Sequence, residues 1–317
     1  MLGAKQTMEN LGLKHTFYET GDKIAEAFPA LAGCKGRPYT GVCEDTAGHI
    51  KASKACQAML TAAGDSCEVH TGTKIVALDI NGDAHKKGNK RIVATTEDGM
   101  TIQADNAVLA AGPWTNEVLA MADLDEINLK VWEIQWAHYR VKKSVAHSIP
   151  QAFHFRKGQT PQDGGLYYVF PASATESVAD QDEEYTYVKV GVDFETPSGD
   201  LEGMDSFDYK GSAIVLDLMD GWVKEHLPDV GERIDSYTSP YTMTEDSYFV
   251  MDNVAEGVSV FSGGSGRAFK FAPIIGDMMA SLVTGDKSPV DLSQFSARRE
   301  SVSRKAKAAE NATVDAA

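Results

Sequence analysis

The sequence has few cysteines, an excess of acidic over basic side chains and no long apolar segment, and each feature excludes a class of protein. It contains 4 cysteines in 317 residues, without C-x-x-C spacing, which argues against a zinc site or a redox dithiol. The 30 lysines and arginines against 46 aspartates and glutamates give a net charge of −16. Nucleic acid and anionic membranes are therefore excluded as partners, because phosphate binding needs a basic surface.

No apolar run reaches the length of roughly 20 residues that a membrane helix needs. The start Met1–Gln6 lacks the apolar core of a signal peptide, and the end Val314–Ala317 is no S-K-L peroxisomal address. We therefore expect a soluble intracellular protein, cytoplasmic or peroxisomal, whose cysteines are buried free thiols and which binds no metal.

The apolar pattern predicts a mixed fold of helices and sheets. Lys74–Ile80, Arg91–Thr95 and Met100–Ile102 are strand-like and are separated by turn residues, which predicts a β-meander. Asn106–Trp114 predicts a buried strand that ends in small residues. Between 126 and 238 alternating aromatic and β-branched residues predict a mostly antiparallel sheet with one side on a cavity or core.

A glycine-rich turn with one lysine, Ser262–Phe271, is the most informative stretch. Val258–Phe261 before it predicts a strand, and the apolar spacing from Ile274 to Val283 predicts a helix. Glycines let the backbone approach a ligand, and a helix N-terminus offers free N–H groups, so the turn suits an anionic or polarised ligand edge. The alternatives are an ordinary strand–helix turn and a dinucleotide fingerprint, which would need a third glycine at Phe269.

Three segments occur in an order that is specific when taken together: Leu109–Trp114, Tyr168–Pro171, and Tyr241–Asp246 followed by the glycine turn. They resemble the sarcosine oxidase group of FAD-dependent amine oxidases, which includes N-methyltryptophan and pipecolate oxidases and lies in the D-amino-acid-oxidase-like superfamily. The resemblance implies an α/β (α+β) fold, in which an incomplete, Rossmann-like FAD-binding domain is interleaved with a mostly antiparallel substrate-binding sheet domain.

The resemblance also implies a domain order. We expect connecting and substrate-domain helices (1–40), the middle of the FAD-binding domain (41–125), the substrate-binding sheet domain (126–238), the C-terminal segment of the FAD-binding domain (239–296) and a flexible tail (297–317).

By resemblance, two lysines carry the chemistry. Lys270 would pair with the substrate carboxylate, and Lys189 would face the flavin and promote its reaction with oxygen, since a fixed positive charge stabilises developing superoxide. On the residues alone, a solvent-facing lysine at a helix start or on a strand explains each equally simply. Tyr168 would line the substrate pocket, although packing in a core is its rival role.

The remaining residues implied by the resemblance contact the cofactor. The flavin side would be lined by the turn, the adenine would meet the strand at Ile75, and the cofactor domain would close at Gly112 and Trp114, for which core packing is again the rival. The turn residues are Gly264, Ser265, Gly266, Arg267, Ala268 and Lys270.

The chain departs from the family pattern at three places. Ser239 stands where the family often has a cysteine linked to the flavin, so we expect non-covalent FAD. Asp193 replaces an active-site histidine, which argues against small N-methyl amino acids as substrates. No G-x-G-x-x-G occurs, so the chain resembles a family member without its N-terminal dinucleotide-binding βαβ unit.

These features together predict an FAD-dependent oxidase. It would convert a secondary amine, or an N-alkyl or cyclic amino acid, to an imine and pass the electrons to O2 to give H2O2. The alternatives are a catalytically inactive remnant of the family and a flavin dehydrogenase that uses a protein electron acceptor.

Overall fold

The structure is a computed structural model that describes residues 2–80, 92–156, 165–171, 184–194 and 196–303. Within these ranges every helix is too short or too polar to cross a lipid bilayer. The strands are β1 (His15–Tyr18), β2 (Gly41–Glu44), β3 (Ile75–Asp79), β4 (Ile92–Thr96), β5 (Thr101–Ala104), β6 (Ala107–Leu109), β7 (Lys130–Lys142), β8 (Ala152–Arg156), β9 (Gly165–Phe170), β10 (Tyr185–Asp193), β11 (Val230–Met243), β12 (Val250–Ala255) and β13 (Val258–Ser262). The helices are α1 (Leu2–Asn10), α2 (Gly21–Ala27), α3 (Ala52–Ala63), α4 (Thr115–Met121), α5 (Lys143–Ala146), α6 (Ala213–His226) and α7 (Ala272–Thr284).

The chain forms two compact units, each assembled from three separate segments. Unit 1 consists of Met1–Met59, Glu133–Ser198 and Asp208–Ser239. Unit 2 consists of Leu60–Trp132, Gly199–Phe207 and Pro240–Ala317. Each unit is therefore held together by contacts between residues that are far apart in the sequence.

Unit 1 is built on a five-stranded sheet in the order β11-β7-β10-β9-β8. Strand β10 pairs antiparallel with β7 and β9, and β8 pairs antiparallel with β9. Because successive side chains of a strand point to opposite faces, β10 sends Val188, Val190 and Val192 to one face and Lys189 to the other. The three valines are fully buried.

Helix α6 covers the valine face of this sheet. Its Val215, Met219 and Trp222 lie four and three residues apart on one side of the helix and join the same buried cluster as the valines of β10. The ring of Trp222 stacks on Tyr167 of β9, with centroids 5.5 Å apart. Full burial of each such side chain contributes about 1.5–3 kcal/mol, so this cluster dominates the stability of unit 1.

Unit 2 contains a three-stranded sheet in the order β12-β13-β6 and the predicted meander β3-β4-β5. Strand β13 runs antiparallel to β12 and parallel to β6. The core contains Leu78 of the meander, Leu109 of β6 and Val260 of β13. Helix α7 places Ile275, Met278 and Met279 against Met251 of β12 in a second cluster.

Three expectations are corrected by the structure. Strand β6 is not buried along its length, because Val108 is 47% exposed and Leu109 alone is fully covered. Of the cysteines expected to be buried, Cys56 and Cys67 are exposed, although all four are free thiols. The predicted flexible tail is packed over residues 297–303, where Val302 is completely buried.

The predicted turn at Asn81–Asp83 lies outside the described residues.

Candidate functional site

The glycine-rich turn of unit 2 is held against the end of strand β11. It joins β13 to α7 and bends through left-handed backbone at Gly263, Ser265 and Gly266, with φ of 65°, 45° and 68°. The N–H of Ser265 donates to the carbonyl of Thr242 at 2.9 Å, and the hydroxyl of buried Ser265 lies 3.4 Å from the N–H of Thr244. Hydrogen bonds thus join the glycine turn to the Tyr241–Asp246 segment, and the two together are one of the three matches that carry the family resemblance.

Gly266 marks the closest approach between these segments. A Cβ atom at this position would lie 2.3 Å from Cε2 of the Tyr241 ring, far inside contact distance. Its positive φ also favours glycine over any other residue. The turn can therefore take this path across Tyr241 only with glycine at 266.

The turn presents donors and positive charge. Among the described residues, the backbone N–H groups of Gly264, Gly266 and Ala268 have no hydrogen-bond acceptor. Arg267 and Lys270 are exposed and form no ion pair within the part of the chain that the structure describes. The Lys270 ammonium lies 5.8 Å from the ring centroid of Phe271. Free amides and unpaired cations suit a ligand rich in anionic or acceptor oxygens.

A second loop leaves the same edge of the sheet, because β6 and β13 are parallel. The hydroxyl of Thr115 lies 2.8 Å from that of Ser262 and donates to the carbonyl of Gly112 at 2.6 Å. Gly112 has φ of 56°, and a Cβ there would meet no atom within 4 Å. Trp114 is 43% exposed, which does not fit its rival role as a core residue. The two loops converge beside open space.

Ile75 lies at the start of β3, opposite Thr96 of β4, and is half-buried. Strand β3 packs against helix α4, which follows the loop at Gly112.

The side of the unit 1 sheet opposite α6 is lined by aromatic rings and carries Lys189. In the register of the sheet, Lys189 lies between His138 of β7 and Phe170 of β9. Its ammonium is 4.0 Å from the ring centroid of Trp136. Burial lowers the pKa of Lys189 below its ordinary value. Lys189 is therefore not the solvent-facing strand lysine that alternation alone allowed.

Tyr168 lies on the same face, across from Gly191 of β10. A Cβ at position 191 would lie 2.3 Å from the Tyr168 hydroxyl oxygen and 2.9 Å from Cβ of Trp136. The Tyr168 ring also packs edge-on against Phe170, at 5.5 Å between centroids. The absence of a side chain at Gly191 thus lets two aromatic residues meet over β10.

Ser239 contacts this face through Trp136. The indole N–H of Trp136 donates to the hydroxyl of Ser239 at 3.1 Å, and the indole stacks on Tyr237 with centroids 4.4 Å apart. The sequence marked Trp136 only as a strand residue and gave no sign of its contact with Lys189. The alternating pattern places both on strands, but it does not show which residues of two strands lie opposite each other.

A partly buried pair, His138 and Asp235, lies on the same face and was not suggested by the sequence. His138 donates its backbone N–H to Asp235 Oδ1 at 3.1 Å, and its Nδ1 lies 2.9 Å from the same oxygen. No cluster of three metal-ligating side chains occurs in the described ranges.

The hydrogen-bond donors of the glycine turn in unit 2 can be compared with the acceptor atoms of FAD, the cofactor expected from the resemblance. A flavin ring has a polar edge of carbonyl oxygens and ring nitrogens, which accept hydrogen bonds, and a flat apolar face. The free amides of Gly264, Gly266 and Ala268 match that edge, and the open space at Gly112 admits a ligand close to the backbone. The residues present fit the ring side of FAD.

Comparison with known proteins also indicates an FAD-dependent protein. A family model described as FAD dependent oxidoreductase matches residues 3–282. Mouse peroxisomal sarcosine oxidase is 26% identical over 312 residues, which cover 95% of this chain and 72% of the mouse protein. N-methyl-L-tryptophan oxidase of Yersinia pestis (strain Pestoides F) is 26% identical over 266 residues, and the match spans 82% of this chain but only 64% of that relative.

Solved structures share the fold. NikD, an unusual amino acid oxidase essential for nikkomycin biosynthesis, aligns with a TM-score of 0.66 at 23% identity over 93% of this chain and 71% of its own. L-proline dehydrogenase from P. horikoshii aligns with a TM-score of 0.71 at 18% identity over the same shares of the two chains, 93% and 71%. The mixed helix-and-sheet fold class predicted from the sequence is confirmed.

Proposed function

Since the chain belongs to the FAD dependent oxidoreductase family, we propose that it takes part in oxidising a secondary amine, or an N-alkyl or cyclic amino acid, to an imine. The family and the oxidoreductase class expected from the sequence are confirmed. The substrate and the electron acceptor are part of the proposal. We propose O2 as the acceptor and H2O2 as the product. The observation that carries the proposal is the left-handed glycine turn with its free amides and unpaired cations.

The turn and the loop at Gly112 would hold the cofactor. FAD, when bound, supplies a two-electron acceptor for the C–H bond next to the amine nitrogen. The amides of Gly264, Gly266 and Ala268 would donate to the acceptor edge of its ring, and Gly112 and Trp114 would border it. Ser265 keeps the turn in shape by bonding to Thr242, and Arg267 adds positive charge. Ile75 is proposed as the residue whose backbone meets the adenine.

Binding of FAD is proposed to be non-covalent. Ser239, at the position of the family's linking cysteine, has no thiol and already accepts a hydrogen bond from Trp136. Protein precipitated by acid should therefore release all of its flavin into the supernatant.

Lys270 is proposed to bind the substrate carboxylate. An ammonium that forms no ion pair in the described part of the chain has its charge available for an external anion. An amino-acid-like amine would then be oriented through its carboxylate, and Asp193 favours a substrate with a donor group over a small N-methyl amino acid.

Lys189 is proposed to stabilise negative charge that develops on oxygen, and Tyr168 to line the substrate pocket. A partly buried cation stabilises developing charge more strongly than an exposed one, since the local dielectric constant is lower. Its position against the Trp136 ring, without a recorded ion pair among the described residues, supports this role.

The test begins with the purified chain and added FAD. We expect flavin to remain bound after desalting, and a peroxidase-coupled assay to detect H2O2 with cyclic or N-alkyl amino acids. Lys270→Met should raise KM for these substrates about 10-fold or more through loss of a charge-assisted contact. Lys287→Met, which removes the same charge from an exposed position, should leave KM unchanged. Protein that stays colourless with added FAD would show an inactive remnant.

Lys189→Met separates an oxidase from a dehydrogenase. In an oxidase it should slow the oxygen reaction on the order of 100-fold, in the range found for lost electrostatic stabilisers, while an artificial dye still accepts electrons. Lys142→Met, on an exposed strand lysine of the same unit, is the matched control. An oxygen rate unaffected by Lys189→Met would contradict the role of Lys189.

A further inference from the structure

Among the described residues, the recorded partner of the Lys189 charge is an aromatic ring rather than a carboxylate. Its ammonium lies 4.0 Å from the centroid of the Trp136 indole, well within the ~6 Å at which the face of an aromatic ring attracts a cation. No ion pair involves Lys189 among the residues that the structure describes. Among the described residues, the Trp136 ring is the recorded contact that favours the protonated form of this lysine.

The indole is fixed from two directions. Its N–H donates to the Ser239 hydroxyl at 3.1 Å, and its plane stacks on Tyr237 at 4.4 Å and 21°. Its own Cβ lies against Gly191, where any side chain would collide. The ring therefore offers its face to Lys189 without having to be ordered first.

We infer that Trp136 is a positioning residue that holds Lys189 over its ring and keeps the lysine protonated on the aromatic face of unit 1. The inference extends the proposed function. It rests on that function for one point, that the Lys189 charge stabilises negative charge on oxygen. Burial alone lowers the pKa of Lys189, and the indole opposes that effect because it stabilises only the charged form.

Other titratable groups lie on the same face and bear on the charge of Lys189. His138 lies directly opposite it and is paired with Asp235, so a proton on that pair changes the field at the lysine. The other titratable or charged groups that alternation places on this face are Arg140 and Lys142 of β7, Tyr168 of β9, Tyr185, Tyr187 and Asp193 of β10, and Tyr237 of β11. The comparison must therefore be between variants that leave all of these groups in place.

The test measures the pKa of Lys189 in the protein without added FAD. Brief acetylation with trace acetic anhydride at a series of pH values, followed by mass spectrometry of the peptide with Lys189, gives its titration curve. Trp136→Leu should lower the pKa by about one unit, the value of a partly desolvated cation–π contact converted to pKa. Trp136→Phe, which keeps a weaker ring, should lower it by about half as much.

Two controls make the result specific. Ser239→Ala removes the hydrogen bond to the indole but leaves the ring stacked, and should change the pKa by less than about a third of a unit. Phe170→Leu removes a non-titratable aromatic ring that lies opposite Lys189 in the register of the sheet and makes no recorded cation–π contact with its ammonium, and should leave the Lys189 curve in place. If Trp136→Leu does not fold by circular dichroism, Trp136→Phe decides.

An unchanged or raised pKa in the Trp136 variants, or an equal shift with Phe170→Leu, would overturn the inference. The outcome is independent of turnover. A shifted pKa in a protein without oxidase activity leaves the positioning role standing while the proposed function fails. Oxidase activity together with an unshifted Lys189 pKa would leave the proposed function standing while the positioning role fails. In active protein, the pH profile of the oxygen reaction should move with the Lys189 pKa.

Discussion

At the scale of single residues, Gly266 is the position where the turn tolerates least change. Alanine there would combine a left-handed φ of 68° with a Cβ 2.3 Å from the Tyr241 ring. The backbone conformation alone costs about 1–2 kcal/mol for a residue with a Cβ. We expect Gly266→Ala to lower stability by about 2–4 kcal/mol, or to displace the turn from Tyr241 and abolish flavin retention.

Gly264→Ala is the matched control, since position 264 has no positive φ and its Cβ would meet only the Ala268 methyl at 3.3 Å. It should cost less than about 1 kcal/mol. Gly112→Ala should cost about 1 kcal/mol through its φ alone, because the space around it is open. Thermal melts and the FAD:protein ratio after desalting distinguish the three, and equal effects of G266A and G264A would refute the steric argument.

At the scale of elements, the segment after strand β11 is clamped by residues from the end of the described chain. Arg299 donates from Nε and Nη2 to the two carboxylate oxygens of Asp246 at 2.7 and 3.0 Å, and to the carbonyl of Tyr248 at 2.9 Å. Burial would raise the pKa of Asp246, but the bonds from Arg299 and Ser301 hold it well below its ordinary value. The clamp steadies the segment that carries Thr244, a partner of the glycine turn.

Arg299→Ala should therefore loosen the turn as well as the C-terminal segment. The side chain of Arg299 is 14% exposed, so loss of this pair should cost about 2–3 kcal/mol. Its neighbour Arg298 is the control: its side chain is 71% exposed, and Arg298→Ala should cost at most about 1 kcal/mol. Urea unfolding measures both, and weaker flavin retention in Arg299→Ala would link the clamp to the turn. If both variants unfold at the same urea concentration, the clamp is not structural.

The sequence predicted local elements well and their partners poorly. The strand before the glycine turn and the helix after it follow from β-branched residues, Pro273 and the left-handed C-cap Gly285, and they occur where expected. Val108 was expected to be buried because it lies in an apolar run. It points to the face of β6 opposite Leu109, and that face is left uncovered, because an apolar run does not show which face of a strand is packed.

At the scale of the whole molecule, the limit of sequence reasoning is long-range pairing. The meander and the antiparallel sheet were predicted because each is local or repetitive. Contacts such as Arg299 with Asp246 and Trp136 with Ser239 join residues 53 and 103 positions apart, and no periodicity encodes them. The packed stretch 297–303 was missed for the same reason, since its charged and alanine-rich composition resembles a free tail.

Acid should destabilise the protein through a histidine pair in unit 1, in which His226 is buried and His154 is half-buried. His154 accepts a hydrogen bond from the Trp222 indole at Nδ1, at 2.9 Å, and its ring centroid is 5.0 Å from that of His226. Burial, together with the nearby His226, lowers the pKa of His154 to about 4. Burial also lowers the pKa of His226. Both rings are therefore neutral in the folded protein near neutral pH.

The direction of the pH effect follows from proton uptake. In the unfolded chain a histidine titrates near pH 6.5, so between about pH 6.5 and 4 the unfolded state binds a proton that folded His154 does not. Its contribution to stability is present above pH 6.5 and is lost as the pH falls towards 4, by up to about 2 kcal/mol at pH 4.5.

His154→Gln, whose amide oxygen can still accept a hydrogen bond from Trp222, should reduce the fall in the urea midpoint between pH 7 and pH 4.5. His147→Gln, at an exposed histidine of the same unit, should leave that fall unchanged. Equal falls in the wild type and His154→Gln would mean that His154 takes up its proton in the folded state as readily as in the unfolded one.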